Sequence, residues 1–140
     1  MTTVLDTNVL VALWTQDDAL NKKAQAVLDD ARSRGRMVIS AVVYAELLAE
    51  QQRNEAFVYG FCNEAGIEVD WELGERVWRV AGAAFQGYAA RRRKQRGVEP
   101  RRILADFVIG AHALVNGYRL LTLDAGIYAA SFPRLVIVRV

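Results

Sequence analysis

The run Thr2-Thr3-Val4-Leu5-Asp6-Thr7-Asn8 (residues 2–8) decides how the rest of this chain is read. Its first four residues are short, β-prone and increasingly apolar, as in a strand buried on both faces of a parallel sheet. An acid follows at once, and Thr7–Trp14 then changes to a helical pattern. Open parallel sheets bind their ligands outside the carboxyl ends of their strands, which is where Asp6 falls.

The same strand pattern recurs at Met37–Ser40, Ile67–Val69, Arg119–Leu123 and Leu135–Val140. Helical segments separate these runs. Asp17 and Asp18 cap and charge a helix that runs to Arg34 and is stopped by Gly35. Ser40 caps a helix through Val42, Val43, Leu47 and Leu48, and another covers Glu55–Glu64 before Gly66. A long helix is expected from Glu72 to Arg93. Pro100 precedes a last long helix over Arg101–Val115, stopped by Asn116-Gly117. A short turn of helix follows Asp124. This alternation predicts an α/β fold: a three-layer α/β/α sandwich around a mostly parallel sheet of about five strands, with right-handed crossovers. No repeat, low-complexity tract or linker divides it, so residues 1–140 read as a single domain.

With 140 residues, 53% hydrophobic and 24% charged, the chain is long enough for a substantial core. Its one cysteine, Cys62, excludes an internal disulfide. No apolar run approaches the roughly 18 residues of a membrane span. A secretory leader is not expected, because the first strand begins immediately, and a cytoplasmic location is. The net charge of +2 conceals an asymmetry. Residues 1–75 carry 6 Lys/Arg against 13 Asp/Glu, a balance of −7, whereas residues 76–140 carry 12 against 3, a balance of +9. The densest stretch holds Arg91, Arg92, Arg93, Lys94 and Arg96, with Arg101 and Arg102 shortly after. Such a cluster attracts polyanions by counterion release; it is equally compatible with a solvated helix end.

Four acids carry the chemistry. Asp124 closes the fourth strand, so it emerges on the same sheet edge as Asp6. Glu46 sits one to two turns into the helix that begins after Ser40. Asp106 lies within an apolar helical pattern of Ile103, Leu104, Phe107, Val108 and Ile109, where an unpaired carboxylate is costly. Gly110 and Ala113 leave its face of the helix bare and permit close approach. Carboxylates converging on one edge repel one another, and a divalent cation is the usual way to hold them. Hard oxygen ligands favour Mg²⁺ or Mn²⁺, and no Cys/His pair has zinc spacing. Such a site suits phosphodiester hydrolysis, the metal activating water and neutralising charge.

The segments Leu5–Leu10, Ser40–Leu47, Ile103–Ala113 and Leu121–Asp124 resemble the four acidic motifs of PIN domains, in the right order and at matching spacing over almost the whole chain. More narrowly, the chain resembles the VapC-type toxin ribonucleases of bacterial and archaeal toxin–antitoxin modules. The resemblance implies a Mg²⁺/Mn²⁺-dependent endoribonuclease with Asp6, Glu46, Asp106 and Asp124 at the metal. It places Asn8 beside the site and gives Thr122 the hydroxyl position that could orient the last acid. It further implies an RNA substrate, a homodimer and a small antitoxin in the groove near the site. Many members carry one more acid after the last motif; here Asp124 is the final acidic residue, which leaves the second metal position open.

Other readings compete. Asp6 and Asp124 taken singly would serve as helix caps, and Glu50, one turn after Glu46, contests its role. His112, the only histidine, reads as a packed, hydrogen-bonded side chain rather than a base, and Cys62 as a small core or surface residue. Trp14, Trp71 and Trp78 read as core or interface anchors in preference to base-stacking platforms. Among functions, a PIN nuclease of RNA processing without an antitoxin and a non-catalytic nucleic-acid-binding PIN-like domain stand as alternatives. A receiver-like module is disfavoured, since no lysine follows Lys94.

Overall fold

The computed structural model describes residues 1–51, 53–96 and 104–140, with the side chain of Arg96 left undescribed. Its elements alternate as the sequence requires: β1 (Thr3–Leu5), α1 (Thr7–Trp14), α2 (Asp18–Arg34), β2 (Met37–Ser40), α3 (Ala41–Leu47), α4 (Glu55–Ala65) and β3 (Ile67–Asp70). Then follow α5 (Glu75–Arg96), α6 (Leu104–Asn116), β4 (Arg119–Thr122), α7 (Ala125–Ser131) and β5 (Ile137–Arg139). Side-chain caps start several of the helices: Asp17 accepts from the Leu20 amide, Ser40 from Val43 and Asn54 from Phe57. Gly66 and Gly117 end α4 and α6.

The five strands form one sheet in the order β3-β2-β1-β4-β5, and every pairing is parallel. β1, β2 and β4 are buried at every residue, while the edge strands β3 and β5 are partly open, so the fully buried strands mark the centre of the sheet. From β1 to β3 the chain crosses the sheet one way, and from β3 to β5 the other. Right-handed crossovers then place α1–α4 on one face and α5–α7 on the opposite face. The helices pack accordingly, α1 on α2, and α5, α6 and α7 on one another. Leu5, Leu10, Ile39, Leu47, Ile109 and Leu121 are sealed in the core, each contributing roughly 1.5–3 kcal/mol of burial.

Strand ends shift by one or two residues from those the periodicity gave, and both ends of α5 move further. α5 begins at Glu75 rather than Glu72, because Gly74 has φ +86°, a left-handed conformation no helix interior accommodates. It also continues to Arg96, past Arg93. The expected start of the last long helix at Arg101 lies outside the described residues.

The bare face of α6 has a specific use. A Cβ on Gly110 would run into the ring of Phe132, which follows α7 and is 3% exposed. This close approach draws α7 onto α6. Gly110→Ala gains about 1 kcal/mol of helix propensity but overpacks the buried Phe132 ring, at a cost of about 1–3 kcal/mol. The expected result is a lower urea midpoint with an unchanged m-value. A midpoint equal to or above that of the parent chain would show that Phe132 can step aside.

Candidate active site at the carboxyl edge of the sheet

The strands that follow β1 and β4 lie on opposite sides of that pair, β2 beyond β1 and β5 beyond β4, so the crevice between the carboxyl ends of β1 and β4 is the topological switch point. Asp6 and Asp124 flank it. Asp6 is the N-cap of α1 (φ −75°, ψ 154°), and its Oδ1 accepts from the Thr7 amide at 2.8 Å. Its Oδ2 accepts from Thr122 Oγ1 at 2.8 Å and from the Tyr128 hydroxyl at 2.9 Å. Asp6 is 4% exposed. Burial pushes its carboxyl above the usual range; hydrogen bonds from Thr122, Tyr128 and Thr7 act against that rise, and the charge of Asp124 adds to it.

Thr7 joins two of the acids. Its amide holds Asp6, and its hydroxyl donates to Glu46 Oε1 at 2.6 Å. Glu46 reaches this point because α3 starts directly from β2 and also touches α6. Asp106 occupies the first turn of α6, where the helix dipole favours negative charge. Asp124 stands at the N-cap position of α7 but makes no side-chain capping bond, so capping does not account for its carboxylate. Its amide instead donates to Thr122 Oγ1 at 3.0 Å.

All four acids line one open cavity of about 420 Å³, with Asn8 and Glu50 also on its wall. Asn8 Oδ1 accepts from the Leu123 amide at 3.1 Å, which pins the β4–α7 loop against α1. Thr122 orients the first acid, Asp6, through its side chain and meets Asp124 only at the backbone. Glu50 shares the cavity with Glu46, so proximity does not separate these two; the bond from Thr7 goes to Glu46. Among the described residues no three His, Cys, Asp or Glu side chains are already gathered at metal-ligand spacing. The acids surround a space instead of closing on a point.

Sequence reasoning passed over Thr7 and Tyr128. Tyr128 lies on α7 and is 1% exposed, so its ring reads as core. Burial and the nearby charges of Asp6, Asp106 and Glu46 push its hydroxyl far above the usual range. The available signal was the residue type: a buried tyrosine in an apolar helix needs an acceptor that phenylalanine does not.

The basic stretch can be placed from ring contacts. Phe85 and Tyr88 of α5 meet Phe107 at centroid distances of 5.0 and 5.4 Å, while Val80 and Ala84 share a groove with Leu114. α5 therefore runs antiparallel to α6, and its last turns pass the Asp106 end. At about 1.5 Å per residue, Arg93 lies roughly 7 Å further along than Tyr88. Arg91, Arg93 and Lys94 are exposed there and Arg92 is half-buried. Arg101 and Arg102 lie outside the described residues.

His112 is fully buried, with Nε2 2.9 Å from Asp70 Oδ2, and does not line the acid cavity. Cys62 is buried, and that burial pushes its thiol up, which makes it a poor nucleophile. Trp14 packs edge-on against Phe57 and Phe61, but Trp71 and Trp78 are 57% and 49% exposed and are not core. On α5 the inward positions next to Trp78 are taken by Val77 and Ala81.

The fold and its cleft define a class, the parallel α/β/α domains whose carboxylates open at the switch point of the sheet. The PIN domain family pattern matches residues 3–133, and the chain belongs to that family. PIN domains are nucleases and generally use divalent metals. Comparison with curated proteins returns no significant match. Among solved structures, the chain is similar to one of VapBC-1 from nontypeable Haemophilus influenzae (21% identity, 99% of this chain, 98% of that one, TM-score 0.69). It is also similar to one of VapBC2 from Rickettsia felis bound to a promoter DNA fragment (18%, 99% and 98%, TM-score 0.64). A third is a toxin–antitoxin complex from Klebsiella pneumoniae (17%, 96% and 95%, TM-score 0.66). At these identities the likeness is one of fold. Among the described residues no helix is long and apolar enough to cross a membrane.

Proposed function

We propose that this chain is the toxin of a type II toxin–antitoxin pair, acting within one domain as a Mg²⁺- or Mn²⁺-dependent endoribonuclease. The observation that carries this reading is the arrival of Asp6, Glu46, Asp106 and Asp124, from four separate segments, on the wall of one open cavity. Their oxygens are hard donors suited to Mg²⁺ or Mn²⁺. The fit is supported by Asp6, whose burial beside Asp124 makes its charge unfavourable until a cation offsets it. Mg²⁺ usually keeps several waters and takes only one or two carboxylates directly, which suits acids that surround a space.

Asp6, Glu46, Asp106 and Asp124 would hold the ion. When bound, it supplies charge neutralisation at the phosphoryl oxygens and a lowered pKa for water. The protein supplies position. Thr122 and Tyr128 fix Asp6, Thr7 fixes Glu46, and Asn8 holds the loop that carries Asp124. A carboxylate not committed to the ion accepts the proton of the attacking water. The cavity opens to solvent, so an RNA strand can lie across it.

The test is cleavage of total cellular RNA by the purified protein with Mg²⁺ or Mn²⁺ and with EDTA. Fragments that need the metal support the nuclease; binding without cutting shifts the weight to a non-catalytic domain. Similarity to chains of toxin–antitoxin complexes supports an antitoxin as partner; a homodimer is proposed only on the resemblance of the motifs to VapC-type toxins. A small open reading frame adjacent to this one and encoding the antitoxin separates that reading from an RNA-processing nuclease.

The basic end of α5, with Arg91, Arg92, Arg93 and Lys94, is the proposed RNA contact, and Arg96, Arg101 and Arg102 follow it in the sequence. Replacing Arg91, Arg92 and Arg93 by alanine removes three charges. On a single strand the slope of log K against log salt should flatten by about 2 if all three contact phosphates. Equal slopes for the two proteins would move the RNA path off α5.

A further inference from the structure

The geometry points to Tyr128 as a positioning residue that fixes the Asp6 carboxylate for cation binding, a role that rests on the metal-site reading above. The starting point is the occupancy of the Asp6 oxygens. A carboxylate offers about four lone-pair positions. On Oδ2 both are taken, by the hydroxyls of Thr122 at 2.8 Å and Tyr128 at 2.9 Å. Oδ1 accepts the Thr7 amide at 2.8 Å and keeps capacity for one further partner. The carboxyl plane is thus fixed from three elements: β4, α7 and the first turn of α1. Oδ1 becomes the oxygen with room for a cation.

Thr122 alone would tie Oδ2 to the neighbouring strand, but a single bond leaves rotation about it. Tyr128 adds the second point, from the opposite end of a 122-residue separation. Packing does not require its hydroxyl, since phenylalanine fills the same volume. A buried hydroxyl is costly without an acceptor, and here the acceptor is the first acid of the site. Outer partners of this kind orient metal ligands, and losing one typically weakens metal binding about 10–100-fold.

The test compares Mn²⁺ binding, by calorimetry on the full chain without RNA, for the parent, Tyr128→Phe and Asp6→Asn. Melting of each metal-free protein is recorded alongside. The expected result is binding about tenfold weaker in Tyr128→Phe and lost in Asp6→Asn, at a temperature where all three are folded. A purely structural tyrosine would lower the melting temperature and leave the Mn²⁺ affinity of the folded protein alone. Unchanged affinity in Tyr128→Phe beside loss in Asp6→Asn overturns the positioning role and leaves the metal site standing. Undiminished binding in Asp6→Asn overturns the metal reading and this inference with it. A measurement on the parent chain needs no variant to fold: with the five tyrosines labelled in the ring, Mg²⁺ should shift the Tyr128 signal. Five unmoved signals would reject the role.

Discussion

Asp6→Asn is expected to abolish RNA cleavage while leaving the protein as stable as its parent or slightly more so. The loss follows from the site. Removing one carboxylate from the metal's surroundings forfeits several kcal/mol of transition-state stabilisation, and about 4 kcal/mol is a factor of about 10³ in rate. The stability forecast follows from burial. The folded-state pKa of Asp6 is raised, so its contribution is favourable below the unfolded value and is lost as pH rises through the folded one. At neutral pH the ionised carboxylate is therefore a cost to the metal-free protein, and asparagine removes it. Asparagine also keeps an oxygen for the Thr7 amide, and the Thr122 and Tyr128 hydroxyls can turn to accept from its NH₂, so all three contacts persist although the two hydroxyl protons lose Asp6 as acceptor, a cost set against the relief of the buried charge. Alanine offers none of this and strands three donors, at about 1–3 kcal/mol for each group left unsatisfied. Thermal melts of the two variants, beside cleavage assays, separate charge from hydrogen bonding. Robust cleavage by Asp6→Asn would remove Asp6 from the chemistry.

Removing the divalent metal should have an effect of similar size. Excess EDTA is expected to stop cleavage completely, and replacement with Mg²⁺ or Mn²⁺ to restore it. The same ions should stabilise the fold, since they bind the native site and not the dispersed carboxylates of the unfolded chain. At a free concentration one hundred times Kd the gain is about 2.7 kcal/mol, which for a chain of this size raises the melting temperature on the order of 10 °C. Asp106→Asn should lose most of that rise, because Asp106 lines the same cavity and its charge is felt at Tyr128. Cleavage that persists in EDTA, with no metal-induced rise in the parent, would mean that the acids serve another purpose.

Much of this was legible along the chain. Short β-prone runs of three to six residues marked the strands, and caps such as Ser40 and Asp17 marked the helix starts, because both signals depend only on near neighbours. The four acids were legible for the same reason: Asp6 and Asp124 directly follow strands, and Glu46 and Asp106 interrupt apolar helical patterns that have no structural need of them. Gly74 was also in plain view, but the φ of +86° that delays α5 is set by the loop leaving β3.

The sequence by itself determined the order of elements, the class of fold and the acids that could form a site. Only the tertiary structure decided that β1 lies between β2 and β4, which turns two strand ends into one crevice. It also decided that Tyr128 and Thr122 share an oxygen of Asp6, that Phe132 seats on Gly110, and that α5 carries its arginines toward the acids and not away. These pairings join residues as much as 122 positions apart. Local periodicity reports which face of an element is buried, but not which distant element covers it, and a side chain's partner is fixed only when the sheet has closed around it.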